Sequence, residues 1–124
     1  MEKKYRLTDE TMKLGSITLH RIEAIRDFGF VKAGDKGGWI EKESNLSHYD
    51  TCWVWDNALV CDNAQVSDDA QIYDEAGIYD NAQVCDYAEV LGYATVYEDA
   101  FICGDARVCG LVRVNEFVYV PAQV

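Results

Sequence analysis

From Val54 onward an aliphatic residue returns at every sixth position: Val54, Val60, Val66, Ile72, Ile78, Val84, Val90, Val96, Ile102, Val108, Val114 and Val120. Four places after each stands a smaller residue, Ala nine times running from Ala58 to Ala106, then Val112, Val118 and Val124. A period of six excludes an α-helix as the repeating element. Six residues advance a helix by about 600°, so successive Val side chains would leave in three directions with no shared apolar face. A short strand accommodates the pattern. Within Ala58-Leu59-Val60-Cys61, Ala and Val share one side while Leu and Cys take the other. The pair that follows, Asp62-Asn63, consists of turn formers that tolerate left-handed backbone. Each hexad therefore reads as a strand and a corner, and successive hexads wind into a parallel β-solenoid with Val, Ile and Ala inside.

Units such as Val60-Cys-Asp-Asn-Ala-Gln65 and Ile78-Tyr-Asp-Asn-Ala-Gln83 resemble the hexapeptide repeat of left-handed β-helix proteins, the fold of many bacterial acyltransferases. The resemblance implies three hexads to a triangular coil. That family prefers a small or acidic residue just after the aliphatic one, and Trp55, Cys61, Tyr73, Tyr79, Leu91 and Tyr97 depart from it. The segments "YRLT" and "IRDFGFVKAGDKGGWIEKESNLS" are similar to the opening of short hexapeptide-repeat proteins of bacteria and their phages, often labelled as transferases. The expected fold is all-β: a single-stranded parallel, left-handed β-helix of about four coils over residues 53–124, behind a small N-terminal β cap over residues 1–52. In the cap, Trp39 and Phe30 are expected to close the first coil.

Charge is segregated along the chain. The net charge is −11, yet residues 1–52 balance nine acidic against nine basic side chains, whereas residues 53–106 hold twelve acidic ones and no Lys or Arg. Such a surface repels nucleic acid and anionic membrane, and it attracts basic proteins, cations, or nothing. No apolar run approaches membrane-spanning length, and the start "MEKKYRLTDE", with no apolar run behind its basic residues, is not expected to act as a signal peptide. Five Cys without CxxC spacing fit free thiols of a cytoplasmic protein.

Catalytic chemistry is hard to find in the repeats. The acyltransferase resemblance implies a His general base and a loop extruded from the coils. The two His, His20 and His48, precede the hexads, and no hexad is interrupted. The expectation is therefore that the chain is not an enzyme and needs no cofactor. No metal site is expected: Cys85 with Cys103, and Cys103 with Cys109, do not supply four converging ligands, and a lone column of carboxylates lacks the oxygens Ca²⁺ requires.

What is left is a binding surface. The acidic corners Asp56, Asp62, Asp68, Asp74, Asp80, Asp86, Glu98 and Glu116 are expected to meet a basic protein surface, one concrete form being a phage-type inhibitor that mimics nucleic-acid charge and blocks a nuclease or defence complex. Turn chemistry accounts for an Asp at each corner but not for the missing Lys and Arg. Trp53, Trp55 and Tyr73 are expected on one outer face. The bulkier Val112, Val114, Phe117, Val118 and Val120 are expected to pair two chains end to end as a homodimer. The alternatives are a self-assembling scaffold and a hexapeptide-repeat acyltransferase.

Overall fold

The computed structural model describes residues 2–122. Two long strands open the chain, β1 (Tyr5–Leu14) and β2 (Ile17–Ala24), joined as an antiparallel hairpin through Gly15. β3 (Lys36–Ile40) pairs antiparallel with β2 on one side and parallel with β5 (Leu59–Val60) on the other. It is therefore the joint between cap and solenoid. Two consecutive glycines make this possible: a Cβ on Gly38 would collide with the Ala58 carbonyl oxygen, and one on Gly37 would stand 2.7 Å from the Trp53 ring.

Thereafter the strands shorten to two residues and stack in three parallel columns. The first continues from β5 through β8 (Gly77–Ile78), β11 (Thr95–Val96) and β14 (Arg113–Val114). The second holds β4 (Trp53–Val54), β7 (Gln71–Ile72), β10 (Glu89–Val90) and β13 (Arg107–Val108). The third holds β6 (Gln65–Val66), β9 (Gln83–Val84), β12 (Phe101–Gly104) and β15 (Phe117–Val120). The all-β solenoid read from the hexads is thus the fold observed. Because β3 and a bridge from Leu46 to Val66 add strands beneath the first column and the third, it makes about five turns rather than four.

The interior is as narrow as the sequence demands. Val60, Ile72, Ile78, Val84, Val90 and Val96 are wholly buried, as are Ala58, Ala64, Ala70, Ala76, Ala82, Ala88 and Ala94. Each layer alternates a branched aliphatic with a methyl, and the coil-to-coil register (Val60 on Ile78, Ile78 on Val96) stacks like on like.

Two expectations about the ends are corrected. Phe30 does not close the first coil: it is 94% exposed at the tip of a tight bend after Gly29. Phe28 packs there instead, edge-on to Trp53 at 5.2 Å, while Tyr5 contacts the same indole at 6.2 Å. The cap is stitched on by polar groups as well. The buried Lys4 ammonium donates to the carbonyls of Tyr49, Asp50 and Cys52, and the Tyr5 hydroxyl donates to those of Glu43 and Leu46. At the other end the hexads do not run unbroken to Val120. In β15, Val118 pairs with Ile102, closer along the chain than a full coil, so Val118 rather than Val120 packs over the core. The corner before it is shortened to match. Val118, at an Ala position of the hexads, thereby takes an aliphatic slot, whereas Val112, at the preceding Ala position, brings no shift: Thr95 and Val96 still pair with Arg113 and Val114. Val124, the last member of the series, lies outside the described residues.

Candidate functional site

The corners follow one design. Asp50, Asp56, Asp62, Asp68, Asp74, Asp80, Asp86 and Glu98 all have φ between 54° and 59°, and Gly92, Gly104 and Gly110 take the same left-handed place higher up. Asp is among the few non-Gly residues that occupy this region readily, since its short carboxylate can bond locally. Here the bond reaches across coils. One carboxylate oxygen of Asp56, Asp62, Asp68, Asp74, Asp80 and Asp86 accepts the backbone N–H of the equivalent corner residue one coil on, at 2.7–3.2 Å. The lowest rung is built the same way, with Glu41 accepting from the N–H of Asp62 at 2.7 Å.

This ladder supplies the reason that turn propensity alone lacked. A Lys or Arg at a corner offers no acceptor, so it would strand the N–H above it in addition to the strain of a positive φ. The carboxylates are consequently fixed in position, with one oxygen tied to the backbone and the other facing outward. Glu116 is an exception. Hexad spacing puts it directly above Glu98, yet it is absent from the left-handed set, because the shortened corner before β15 takes it out of register.

The ladder does not explain the flat faces. Gln65, Ser67, Gln71, Gln83 and Thr95 flank the inward residues, take no part in the ladder, and are not basic; the equivalent positions become basic only at Arg107, which pairs with Glu89 at 3.0 Å, and at Arg113. Among the described residues, each Lys and Arg lies either in residues 3–42 or at Arg107 and Arg113.

The aromatic face is only partly as expected. Trp53 is fully buried between Tyr5 and Phe28 beneath the cap, and its Nε1 finds no hydrogen-bond partner. The cap, not recognisable from hexad register, is what covers it. Trp55 and Tyr73 do share a face, stacked at 5.9 Å with 19° between their planes. Trp55 Nε1 donates to Gln71 at 2.7 Å, and Gln71 in turn donates to the Thr51 carbonyl at 2.8 Å. With Phe30, Val31 and Glu89 they line a cleft of about 380 Å³ between the cap and the second column. A second cleft, about 350 Å³, lies over Asp56, Asp74, Glu75 and Tyr93.

At the far end, Val112, Phe117 and Val120 are 41%, 68% and 36% exposed, while Val114 and Val118 are half-buried against the core. Leu111 (88%) and Tyr119 (56%), which hexad reasoning passed over, enlarge that apolar end.

His48 is not placed as a free base, whereas His20, whose Nδ1 faces the Thr8 carbonyl, an acceptor only, keeps the Nε2 lone pair of its neutral ring. His48 is buried and stacked on Tyr5 at 4.1 Å; its Nδ1 accepts the Lys4 N–H and its Nε2 meets Glu43 at 2.9 Å. Receiving a proton at Nδ1 requires that Nε2 carry one, so the ring's two nitrogens are both committed. Hydrogen bonds from His48 and Lys3 hold the Glu43 carboxyl below its ordinary value. His20 lies at 3.2 Å from the Thr8 carbonyl. Among the described residues no helix is long and apolar enough to cross a membrane.

No family model matches the chain. It is 38% identical over 66 residues to a protein of Escherichia coli (strain K12) named "Uncharacterized acetyltransferase YdcK", a match covering 46% of this chain and 20% of that protein. The chain thus spans about a fifth of the length of the curated relative it matches. This likeness corrects the expectation that the chain is not an enzyme. That expectation rested on the lack of a His or a loop among the hexads, but the protein resembled carries the name of an acetyltransferase. The make-up of the hexads therefore gives no ground for denying catalysis.

Proposed function

We propose that the solenoid recognises a basic protein surface through its corners and flat faces. One observation carries the reading: the carboxylates are held by the cross-coil ladder, and residues 53–106 place no Lys or Arg among them, even at face positions where the backbone asks for no acceptor; Arg107 and Arg113 take such positions only beyond that stretch. Fixed charges bind without the entropy cost of ordering mobile side chains, and an uncompensated array steers a cationic partner toward it. Ridges of negative charge repeating at about the 4.8 Å strand spacing are a loose counterpart of a phosphate backbone. The specific form proposed is therefore competition with nucleic acid for a basic groove, as in an inhibitor of a nuclease or defence complex.

The experiment is displacement. A fluorescent duplex bound to a set of basic DNA-binding proteins should be released by the chain, less so as salt rises. Release should weaken for the triple variant Asp62→Asn, Asp80→Asn, Glu98→Gln. Undiminished displacement by that variant would remove the corners from the account.

A second reading, acyl transfer, draws on the likeness to the E. coli protein. It is read independently: acetyl-coenzyme A should raise the melting temperature in proportion to the logarithm of its concentration above the dissociation constant. An unchanged melting temperature at millimolar ligand counts against it.

A further inference from the structure

The third column brings together a group of donors that reading the Cys spacings alone misses. Cys85 follows the inward Val84 and points to the outer side, and its neighbour Asp86 stands at the corner. Asp68 is the corner residue one coil below. One ligand atom from each of Asp68, Cys85 and Asp86 lies within 4.8 Å of the others. Asp68 and Asp86 each spend one oxygen on the ladder, which leaves each a second. One coil above, Cys103 follows Ile102, which pairs in register with Val84, and is only 7% exposed.

We propose that Asp68, Cys85 and Asp86, with Cys103 as the fourth donor, form a binding site for one thiophilic divalent cation of the zinc class. The chemistry of the donors selects the ion. Ca²⁺ takes six to eight oxygens, and two thiols cannot serve it. Zn²⁺, Co²⁺ and Cd²⁺ accept four ligands of mixed sulfur and carboxylate type, at about 2.3 Å for sulfur and about 2.0–2.2 Å for oxygen. Asp68, Cys85 and Asp86 close from a 4.8 Å spread by side-chain rotation, and Cys103, outside that spread, would have to turn toward them from the coil above. The corner oxygens are already aimed by the ladder, the counterpart of the outer-shell bonds that orient carboxylates in metal sites. Each ligating thiol gives up one proton to solvent on binding, so two protons leave as one cation arrives. Residues 53–106 hold no Lys or Arg to compete for the same charge.

The Cys85 thiol has its pKa pushed up to about 12 by burial, with the Asp86 carboxylate and the Cys103 thiol adding to the effect. A neighbouring cation reverses that logic and ionises the thiol.

The test is a cobalt(II) titration of the full chain, kept reduced by a phosphine that binds no metal. The expected result is a thiolate-to-cobalt charge-transfer band saturating at one equivalent per chain and erased by zinc(II). Cys85→Ser should abolish the band; Cys103→Ser should weaken binding at least tenfold, in the range seen when a metal's supporting groups are removed, roughly 10- to 100-fold. Asp68→Asn, which keeps the ladder's acceptor and hence the fold, should weaken it likewise. Cys109→Ser should change nothing. No band with the unaltered chain, or a band that survives Cys85→Ser, overturns the proposal.

Discussion

Asp62 offers the sharpest test of what the acidic corners do for the fold. Its φ is 57° and its carboxylate accepts the N–H of Asp80 at 3.0 Å. Replacement by Ala imposes a left-handed backbone on a residue with a Cβ, at a cost of about 1–2 kcal/mol. It also removes one hydrogen bond, worth about 0.5–1.5 kcal/mol in partly solvated surroundings. Asp62→Ala is thus expected to destabilise by about 2 kcal/mol. Gly escapes the backbone term and should lose about 1 kcal/mol. Asn keeps both the φ tolerance and the acceptor. It also relieves the repulsion from Asp80 one strand spacing away, at most about 0.9 kcal/mol at water's dielectric and about 4.8 Å, less with salt. Asn should therefore match or slightly exceed the native Asp. The order Asn, Asp, Gly, Ala is read from urea midpoints followed by circular dichroism, with constant m-values as the check on mechanism. If Ala proves as stable as Asn, the ladder contributes nothing and the corner account is wrong. If Lys proves as stable as Asn, the structural reason for the missing cations goes with it.

Three further outcomes are expected. Glu43 has its folded pKa lowered by His48 and Lys3, so the stability it contributes is complete above its unfolded value and is lost as pH falls through the folded one. Glu43→Gln should flatten the acid limb of melting temperature against pH below about 4.5, and an unchanged limb would contradict this. Gly38→Ala forces a methyl against the Ala58 carbonyl oxygen and should destabilise the joint between cap and coils by about 1–3 kcal/mol; a thermal midpoint equal to that of the native chain would show that the joint yields freely. The exposed Leu111, Phe117 and Tyr119 favour end-to-end pairing of two chains, for which light scattering should return twice the 14.0 kDa chain mass and the Phe117→Asp variant a single mass. A single mass for the unaltered chain refutes pairing.

What could be read in advance was whatever repeats. The Val and Ala positions fixed the strand, the inward side and the stacking of each coil on the next, because a six-residue period admits no other regular solution. The corners were legible as turns from Asp-Asn pairs. Their bonding across coils was not, since nothing in a single hexad says that Asp62 meets the N–H of Asp80 and not that of a nearer residue. The misses cluster where the repeat fails. Trp53 reads as an outward residue until the cap, an irregular fold built on Lys4, Tyr5 and Phe28, covers it. Phe28 and Phe30 are equally apolar and two apart; a positive φ at Gly29 between them sends one inward and one out. The shortened corner before β15 was not legible, since Val112 and Val118 both take Ala positions and the register changes only at the second. Asp68 stands a full coil below the adjacent Cys85 and Asp86, and a scan of Cys against Cys alone passes the three by.

The constant register, in which each strand lies on its equivalent one coil earlier, gives the molecule the property of a screw thread. Any full turn cut between Ile72 and Val90 begins and ends on equivalent backbone, so duplicating it advances everything beyond by one pitch and turns it only by the twist of one coil. The rod's reach can accordingly change during evolution, or by design, in steps of fixed size.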